Sequence, residues 1–218
     1  MVLRSSGTRS DFKEETHPDF YLVAKRTGDL AAVTATLVIL LPVMAVIALI
    51  VWAQDRGPIL YSQERVGKDG RSFRFYKFRS MVQNADALKA AIQSSNEASG
   101  PIFKMKNDPR TTPAGRVLRR YSLDELPQLW NVLAGDMSLV GPRPHLPSEV
   151  AQYRPEQKAR LSVQPGLICL REVSGRSRLS FEQWVALDLD YIQKRSVWVD
   201  MQILWRAVPA ILKADGAY

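Results

Sequence analysis

The sequence predicts an α+β protein in which a membrane-embedded N-terminal segment precedes a compact, mostly helical domain with a small β-hairpin. Three observations predict this class. Residues 30–53 form an apolar run without a charge. Residues 58–80 alternate around a glycine-rich turn, as hairpins do. Most apolar residues after residue 112 recur at helical spacing. At 218 residues, the chain is long enough for one domain with an added segment.

Charge is distributed unevenly along the chain. The net charge of +8 comes from 30 basic and 22 acidic residues. Residues 1–29 are balanced and residues 30–53 are uncharged, so the whole excess follows residue 53. A basic domain beside an apolar segment indicates anionic lipid, nucleotides or nucleic acid as partners. Cys169 is the only cysteine, which excludes an internal disulfide and predicts a reduced core thiol.

The N-terminal part divides at residue 24. Residues 1–24 are predicted as a flexible arm, and residues 25–56 as the membrane-embedded segment. As a helix, the apolar run would reach roughly 36 Å, and Pro42 divides it into two halves. A kinked spanning helix and a hairpin that returns to the same side are both open. Cations on both flanks agree with the hairpin, but the residues alone favour spanning.

Residues 57–218 are predicted to form the cytoplasmic domain, which begins with the hairpin. Ile59–Tyr61 and Phe73–Arg79 are strand candidates, with a turn at Gly67–Gly70. The second strand would bring Lys77 and Arg79 near a common site. Cations on an edge strand also have a protective explanation, and aromatic residues between cations can bind single-stranded nucleic acid.

Two helices should follow the hairpin. A polar helix is predicted over residues 84–97. A shorter helix should begin at Thr112, whose side chain caps it, with Pro113 in its first position. Arg119 lies in that short helix together with two further arginines, just before a pair of carboxylates. These cations could hold an aspartate ionised or bind a pyrophosphate.

Asp124 and Glu125 lie in the segment Tyr121–Trp130, around which the domain is organised. Acids in the first turn of a helix are usually structural. Ser122 and Glu125 have the spacing of a capping box, or Asp124 is the cap, which places Pro127 harmlessly in the first turn. In the second case the Asp124 carboxylate lies where a phosphate would dock.

The rest of the chain supplies one rigid loop and several helices. Arg143 lies between two prolines that restrict the backbone on both sides. A polar helix broken at Pro155 is predicted over residues 147–161, and a strand over 167–170. Asp188 lies on an otherwise apolar helix face, so it is either paired in the core or functional. Residues 201–212 form an amphipathic stripe, for which core packing is favoured over a membrane interface.

Five motifs together resemble one family. They are Tyr76-Lys-Phe-Arg-Ser-Met81, Asp108-Pro-Arg-Thr-Thr112, Leu118-Arg-Arg-Tyr-Ser-Leu-Asp-Glu-Leu-Pro-Gln-Leu129, Met137-Ser-Leu-Val-Gly-Pro-Arg-Pro144 and Val173-Ser-Gly-Arg-Ser177. The sequence resembles the bacterial sugar transferases, which are monotopic polyprenyl-phosphate phosphoglycosyltransferases, and in particular the small type that initiates exopolysaccharide synthesis. The resemblance extends from about residue 25 to residue 218.

The resemblance implies a reaction and a site. A sugar 1-phosphate, here expected to be a hexose 1-phosphate, would pass from a UDP-sugar to undecaprenyl phosphate with release of UMP. Asp124 would form a covalent phosphosugar intermediate, and Glu125 would hold Mg²⁺. The substrate phosphates would meet the cations Lys77, Arg79, Arg119, Arg143 and Arg176. A direct attack by the lipid phosphate, with Asp124 as base, is the weaker mechanism.

The resemblance also implies a location. The apolar segment would be a re-entrant hairpin broken at Pro42 in the bacterial inner membrane, with the catalytic domain on the cytoplasmic face. Partners would be the UDP-sugar, polyprenyl phosphate and membrane lipid. Nucleic acid is not expected, and a homo-oligomer stays open. The rival hypothesis is a membrane-anchored basic module that binds nucleic acid or anionic lipid without catalysis.

The sequence departs from the family pattern in one loop. After Pro165-Gly166, larger relatives usually read Thr-Gly and then Trp-Gln, whereas this chain has Ile168-Cys169 and Arg171-Glu172. Contacts to the sugar or uridine from this loop therefore do not carry over.

Overall fold

The computed structural model describes residues 19–98, 100–103, 105–175 and 179–213. The first described element is a long helix, α1 (Asp19–Asp55). Residues 1–18 of the predicted arm lie outside the described part of the chain. Residues 19–24 are already helical, so the helix begins before the predicted boundary at residue 25.

Helix α1 contains the apolar segment and continues through Pro42. The predicted break into two helices at Pro42 is therefore not found. A proline inside a helix removes one hydrogen bond, and the flanking turns keep theirs, so a long apolar helix can continue past it. The helix is long and apolar enough to cross a membrane by length and composition, and only 11% of its most apolar window is buried in the protein. A core helix would be mostly buried.

Both ends of α1 contact the same globular domain. Near the start, Lys25 Nζ lies 2.7 Å from Asp200 Oδ2, and Arg26 Nη1 donates to the carbonyl oxygen of Val132 at 2.6 Å. Near the end, Val51 is fully buried in an apolar cluster, and Asp55 pairs with Arg79. The side chains between these contacts include exposed residues such as Val38, Ile39 and Leu41. The helix is thus clamped at its ends and apolar and exposed in its middle.

The predicted hairpin is confirmed. Strands β1 (Leu60–Val66) and β2 (Ser72–Phe78) pair in antiparallel fashion, with Leu60 opposite Phe78. The turn closes where the N–H of Gly67 donates to the carbonyl oxygen of Arg71 at 2.8 Å. Alternate residues of a strand share a face, so Phe73, Phe75 and Lys77 project to one side of the sheet.

The polar helix predicted over residues 84–97 is only partly α-helical. Helix α2 (Ala85–Leu88) gives way to a 3-10 helix over Ala90–Ser95. Helix α3 (Pro113–Arg120) begins as predicted, because the Thr112 hydroxyl accepts from the N–H of Gly115 at 2.9 Å.

The expected capping arrangements around Asp124 are wrong. A 3-10 turn covers Leu123–Glu125, and Ser122 makes no capping hydrogen bond because its backbone is left-handed, with φ of 56°. Helix α4 (Gln128–Ala134) begins only after Pro127. The carboxylate of Glu125 is bound by Arg143, which removes the side chain that a capping box requires.

A second, parallel pair of strands supports the Arg143 loop. Strands β3 (Ser138–Val140) and β4 (Gly166–Ile168) align Ser138 with Gly166. A Cβ atom on Gly166 would lie 2.0 Å from the Gly141 nitrogen, so a glycine is required where the loop leaves β3. Between the strands lie α5 (Pro147–Val150) and a 3-10 helix over Pro155–Ser162.

Helices α6 (Phe181–Lys194) and α7 (Val197–Lys213) complete the described chain. Asp188 on α6 is buried and paired with Arg160, which answers the sequence question in favour of core pairing. Trp205 on α7 is 83% exposed. The core packing favoured for residues 201–212 is therefore wrong for most of the stripe, whose exposed members are Met201, Trp205, Val208 and Leu212.

The core lies between α1, the hairpin, α4 and the last two helices. Its buried members are Val33, Phe75, Leu129, Val132, Met137, Leu139, Val140, Tyr191 and Ile203. Asn131 joins α4 to the hairpin, because its side-chain amide donates to Arg74 O at 2.6 Å and accepts from the N–H of Tyr76 at 3.2 Å. The helix that follows the carboxylate pair is thereby held against the strand that carries Lys77.

Candidate active site

A cavity of about 400 Å³ opens between the hairpin, α3, the 3-10 turn and the Arg143 loop. The predicted site residues that line it are Lys77, Arg79, Arg119, Asp124, Glu125 and Arg143. Arg176, the remaining predicted residue, lies outside the described part of the chain. Segments far apart in sequence thus supply both signs of charge to one cavity.

Lys77 projects over the buried ring of Phe75. Its Nζ lies 5.4 Å from the ring centroid, and the guanidinium carbons of Arg65 and Arg143 lie 5.4 and 5.9 Å from the same ring. The negative face of an aromatic ring favours nearby cations. Burial lowers the pKa of Lys77 to about 8, against the opposing effect of Asp124 and Glu125. At neutral pH most Lys77 side chains are therefore still cationic.

Arg119 reaches the cavity from α3, which lies unusually close to the end of the hairpin. A Cβ atom on Gly115 would lie 1.9 Å from the Ser80 carbonyl oxygen, so only glycine permits this contact. Arg119 Nη1 donates to the Thr111 hydroxyl at 3.0 Å. The helix position and this hydrogen bond together hold the guanidinium near Asp124.

Asp124 is 5% exposed and lies two residues after the left-handed Ser122. Left-handed backbone is unfavourable for a residue other than glycine and is often found at functional sites. Burial, and then the charge of Glu125, raise the pKa of Asp124 to about 6, although Lys77, Arg119 and Arg143 act in the opposite direction. At pH 7 the side chain is mostly a carboxylate.

Glu125 and Glu172 share one guanidinium. Arg143 binds both oxygens of Glu125, with Nη1 at 3.1 Å from Oε2, and the same Nη1 lies 3.4 Å from Glu172 Oε1. Burial alone would raise the pKa of Glu125, but Arg143, with help from Lys77 and Arg171, holds it well below its usual value. Glu125 is therefore an anion, whereas burial raises the pKa of Glu172.

Arg79 lines the cavity, but its guanidinium is committed to α1. Nη1 donates to Asp55 Oδ2 at 2.7 Å, and Nη2 donates to the other carboxylate oxygen and, at 3.5 Å, to the Val51 carbonyl. The substrate-binding role predicted for Arg79 stays a prediction. The observed contacts fit a different task, which is to tie the end of α1 to the end of β2.

A divalent cation at Glu125 would depend on substrate. Within the described ranges, no cluster of three or more His, Cys, Asp or Glu side chains is arranged to hold a metal. Mg²⁺ is often bound by one or two carboxylates together with substrate phosphates. A carboxylate can accept bidentate arginine and still offer further lone pairs, so Glu125 fits such a mixed site but not an all-protein one.

Some residues at the cavity were not selected from the sequence. Glu172 and Arg171 were noticed only as departures from the family pattern, and that departure was the available signal. Neither His145 nor Trp184 was selected from sequence reasoning. Burial, and then four neighbouring arginines, hold the pKa of His145 well below its usual value, so this ring is neutral.

Comparison with known proteins agrees with this arrangement. The sequence model of the family described as bacterial sugar transferase matches residues 20–214. The galactosyl transferase CpsE of Streptococcus agalactiae serotype III (strain NEM316) is 42% identical over 90% of this chain and 44% of its own length. The exopolysaccharide production protein ExoY of Sinorhizobium fredii (strain NBRC 101917 / NGR234) is 36% identical over 90% of this chain and 88% of its own length.

A third relative carries a more specific name. The UDP-glucose:undecaprenyl-phosphate glucose-1-phosphate transferase of Caulobacter vibrioides (strain ATCC 19089 / CIP 103742 / CB 15) is 38% identical over 89% of this chain and 72% of its own length. The chain spans less than half the length of CpsE. Since the family match covers nearly the whole chain, this protein belongs to the bacterial sugar transferase family.

Proposed function

We propose that this protein transfers a hexose 1-phosphate from a UDP-sugar to undecaprenyl phosphate and releases UMP, as the first membrane step of exopolysaccharide assembly. One observation carries the proposal. The Asp124 carboxylate is buried in a cavity whose walls hold the cations Lys77, Arg119 and Arg143. An anion surrounded by cations in a cavity suits attack on a pyrophosphate. The names of the relatives support this substrate class.

The proposed reaction has two displacements at one phosphorus atom. A carboxylate oxygen of Asp124 attacks the phosphorus that bears the sugar, and the bond from that phosphorus to the UMP oxygen breaks. An oxygen of the lipid phosphate then attacks the same phosphorus and releases the Asp124 carboxylate. Aspartate is an established covalent nucleophile in phosphoryl transfer. It needs no general base at neutral pH, because its pKa of about 6 leaves it mostly ionised.

The main obstacle is electrostatic, because an anion must approach an anion. Lys77 and Arg119 are among the cations whose charge acts on Asp124, and they would bind the equatorial phosphate oxygens. Such fixed charges stabilise the charge of the transition state. Glu125 would hold Mg²⁺ together with the substrate phosphates, and the ion would supply further neutralisation of their charge when bound. Arg143 keeps Glu125 ionised and oriented in the meantime.

We further propose that α1 enters and leaves the inner membrane from the cytoplasmic side, bent around Pro42. Lys25 and Arg26 near its start and Asp55 at its end all contact the catalytic domain. The ends of a spanning helix lie on opposite sides of the bilayer, where one water-facing domain cannot contact both. The exposed face of α7, including Trp205, would lie along the membrane surface.

The decisive experiment is the intact mass of the purified chain after mixing with Mg²⁺ and UDP-glucose or UDP-galactose in the absence of lipid phosphate. A sugar-phosphate adduct with stoichiometric UMP, absent in Asp124→Asn, is the expected result and names the sugar. UMP release only after addition of undecaprenyl phosphate would retain the transferase and reject the covalent step. No adduct and no UMP with either sugar, with and without lipid, would favour the binding-module hypothesis.

The binding-module hypothesis has one supporting observation, which is the net charge of +8. Against it, the acids Asp124, Glu125 and Glu172 lie inside the main cavity, where they would repel a nucleic-acid backbone. Asp124→Asn should not weaken binding in such a module.

A further inference from the structure

Arg171 occupies an unusual place at the cavity. It belongs to a 3-10 helix over Leu170–Val173, directly after β4. Its guanidinium carbon lies 4.0 Å from the centroid of the Trp184 ring, and both side chains line the cavity with Asp124 and Glu125. Stacking on a buried indole fixes the plane of the guanidinium.

The hydrogen-bonding groups of Arg171 are uncommitted. The other arginines of the cavity are engaged: Arg79 with Asp55, Arg110 with Asp108, Arg119 with Thr111 and Arg143 with Glu125. No hydrogen bond or ion pair joins Arg171 to any residue that the structure describes, and its Nε is buried without an acceptor. Buried donors in folded proteins nearly always have partners, so an acceptor is expected from outside the chain.

The neighbouring acid does not fill this role. Glu172 accepts from Arg143 Nη1 at 3.4 Å through one oxygen and from the Cys169 N–H at 3.5 Å through the other. The charge of Arg171 is nevertheless felt in the site, where it acts on Glu125. A planar cation with a free fork beside a nucleophile matches the geometry of a phosphate group.

We infer that Arg171 is a further oxyanion-binding residue of this cavity and binds a phosphate oxygen of either the nucleotide or the lipid substrate. The inference rests on the proposed function for its substrates. It assigns a task to a position at which the chain departs from the pattern of larger relatives, where tryptophan is usual. The Arg171–Trp184 stack thus orients a phosphate ligand as well as contributing to packing.

The test is calorimetric titration of the full-length chain in detergent micelles, first with UMP and then with farnesyl phosphate. Arg171→Met should weaken the binding of one ligand about tenfold to a hundredfold, since charge-assisted hydrogen bonds are lost. Arg171→Lys should fall between, because it retains the charge but not the fork, and Arg171→Trp should resemble Arg171→Met. Arg120→Met is the matched control: Arg120 also stacks on an aromatic ring, Tyr121, but does not line the cavity.

Each outcome bears on the inference. Loss of UMP affinity assigns Arg171 to the nucleotide phosphate, and loss of farnesyl phosphate affinity assigns it to the lipid phosphate. Unchanged affinity for both ligands in Arg171→Lys and Arg171→Trp overturns the inference, even if Arg171→Met unfolds more readily. Neither titration needs turnover. A wild-type chain that binds these ligands through Arg171 but forms no product would therefore reject the proposed function alone.

Discussion

Replacement of Arg143 by methionine should cost both stability and activity, and the structure gives the size of the first effect. Arg143 donates two hydrogen bonds to Glu125 and one to Glu172. Its side chain is 17% exposed and those of the two acids are 18% and 21% exposed. Removal of one partner from a buried ion pair costs about 3–5 kcal/mol, and this residual exposure favours the lower end, about 3 kcal/mol.

A second variant separates charge from packing. In Arg143→Met with Glu125→Gln, the carboxylate left behind by the first change is neutral, so about half or more of the lost stability should return. Activity should not return, because both side chains belong to the proposed site. Arg154→Met is the control, since Arg154 and its partner Glu156 are 59% and 51% exposed. An exposed pair contributes about 1 kcal/mol or less.

The assay is thermal unfolding of the purified chain in detergent, followed by circular dichroism. For a chain of this length, about 3 kcal/mol corresponds to a fall in Tm of roughly 6–12 °C. An Arg143→Met protein that unfolds with the wild type would refute the buried-pair argument. A double variant no more stable than Arg143→Met would attribute the loss to packing rather than to an unpaired charge.

Three further predictions concern the nucleophile, the membrane segment and the close approach of α3. Formation of the adduct, measured in single turnover without lipid phosphate, should slow as pH falls through about 6, because the reaction needs ionised Asp124 and its pKa is raised to about 6; an acid limb near pH 4 would contradict this. Cysteines placed at Gly28 and Gln54, in a background without the native cysteine, should both react with an impermeant maleimide in inside-out vesicles and neither in spheroplasts, whereas a spanning helix would expose one in each. Gly115→Ala should lower stability by about 1–3 kcal/mol and reduce kcat/KM, because the new Cβ would lie 1.9 Å from the Ser80 carbonyl oxygen. Gly28→Ala, with nothing within 4 Å, should be neutral or slightly stabilising; equal Tm values for these two variants would refute the steric argument.

Local chemistry explains which elements could be predicted. The Thr112 cap depends on residues within one turn, and the hairpin depends on a glycine turn between alternating strands, so both follow from neighbouring residues. The length and composition of α1 likewise needed no tertiary information. The start of α4 was misplaced, because a distant arginine takes the Glu125 side chain that a capping box would use.

The site shows the same division. Charge and spacing in the sequence selected Lys77, Arg119, Asp124, Glu125 and Arg143, and the fold gathers them at one cavity. Their pairing could not be predicted, because a partner is chosen by approach in space and not by distance along the chain. The outward-facing stripe of α7 was also undecidable, since an amphipathic pattern shows that a face is apolar and not what covers it.

The sequence by itself therefore determined the apolar helix, the hairpin, the helix cap and the charged residues of the site, because each depends on the chemistry of adjacent residues. Only the tertiary structure decided that Arg79 holds Asp55, that Arg143 joins Glu125 to Glu172, and that Arg171 stacks on Trp184 with a free fork. These contacts join segments far apart in the chain, and the packing of the whole domain decides which side chains meet.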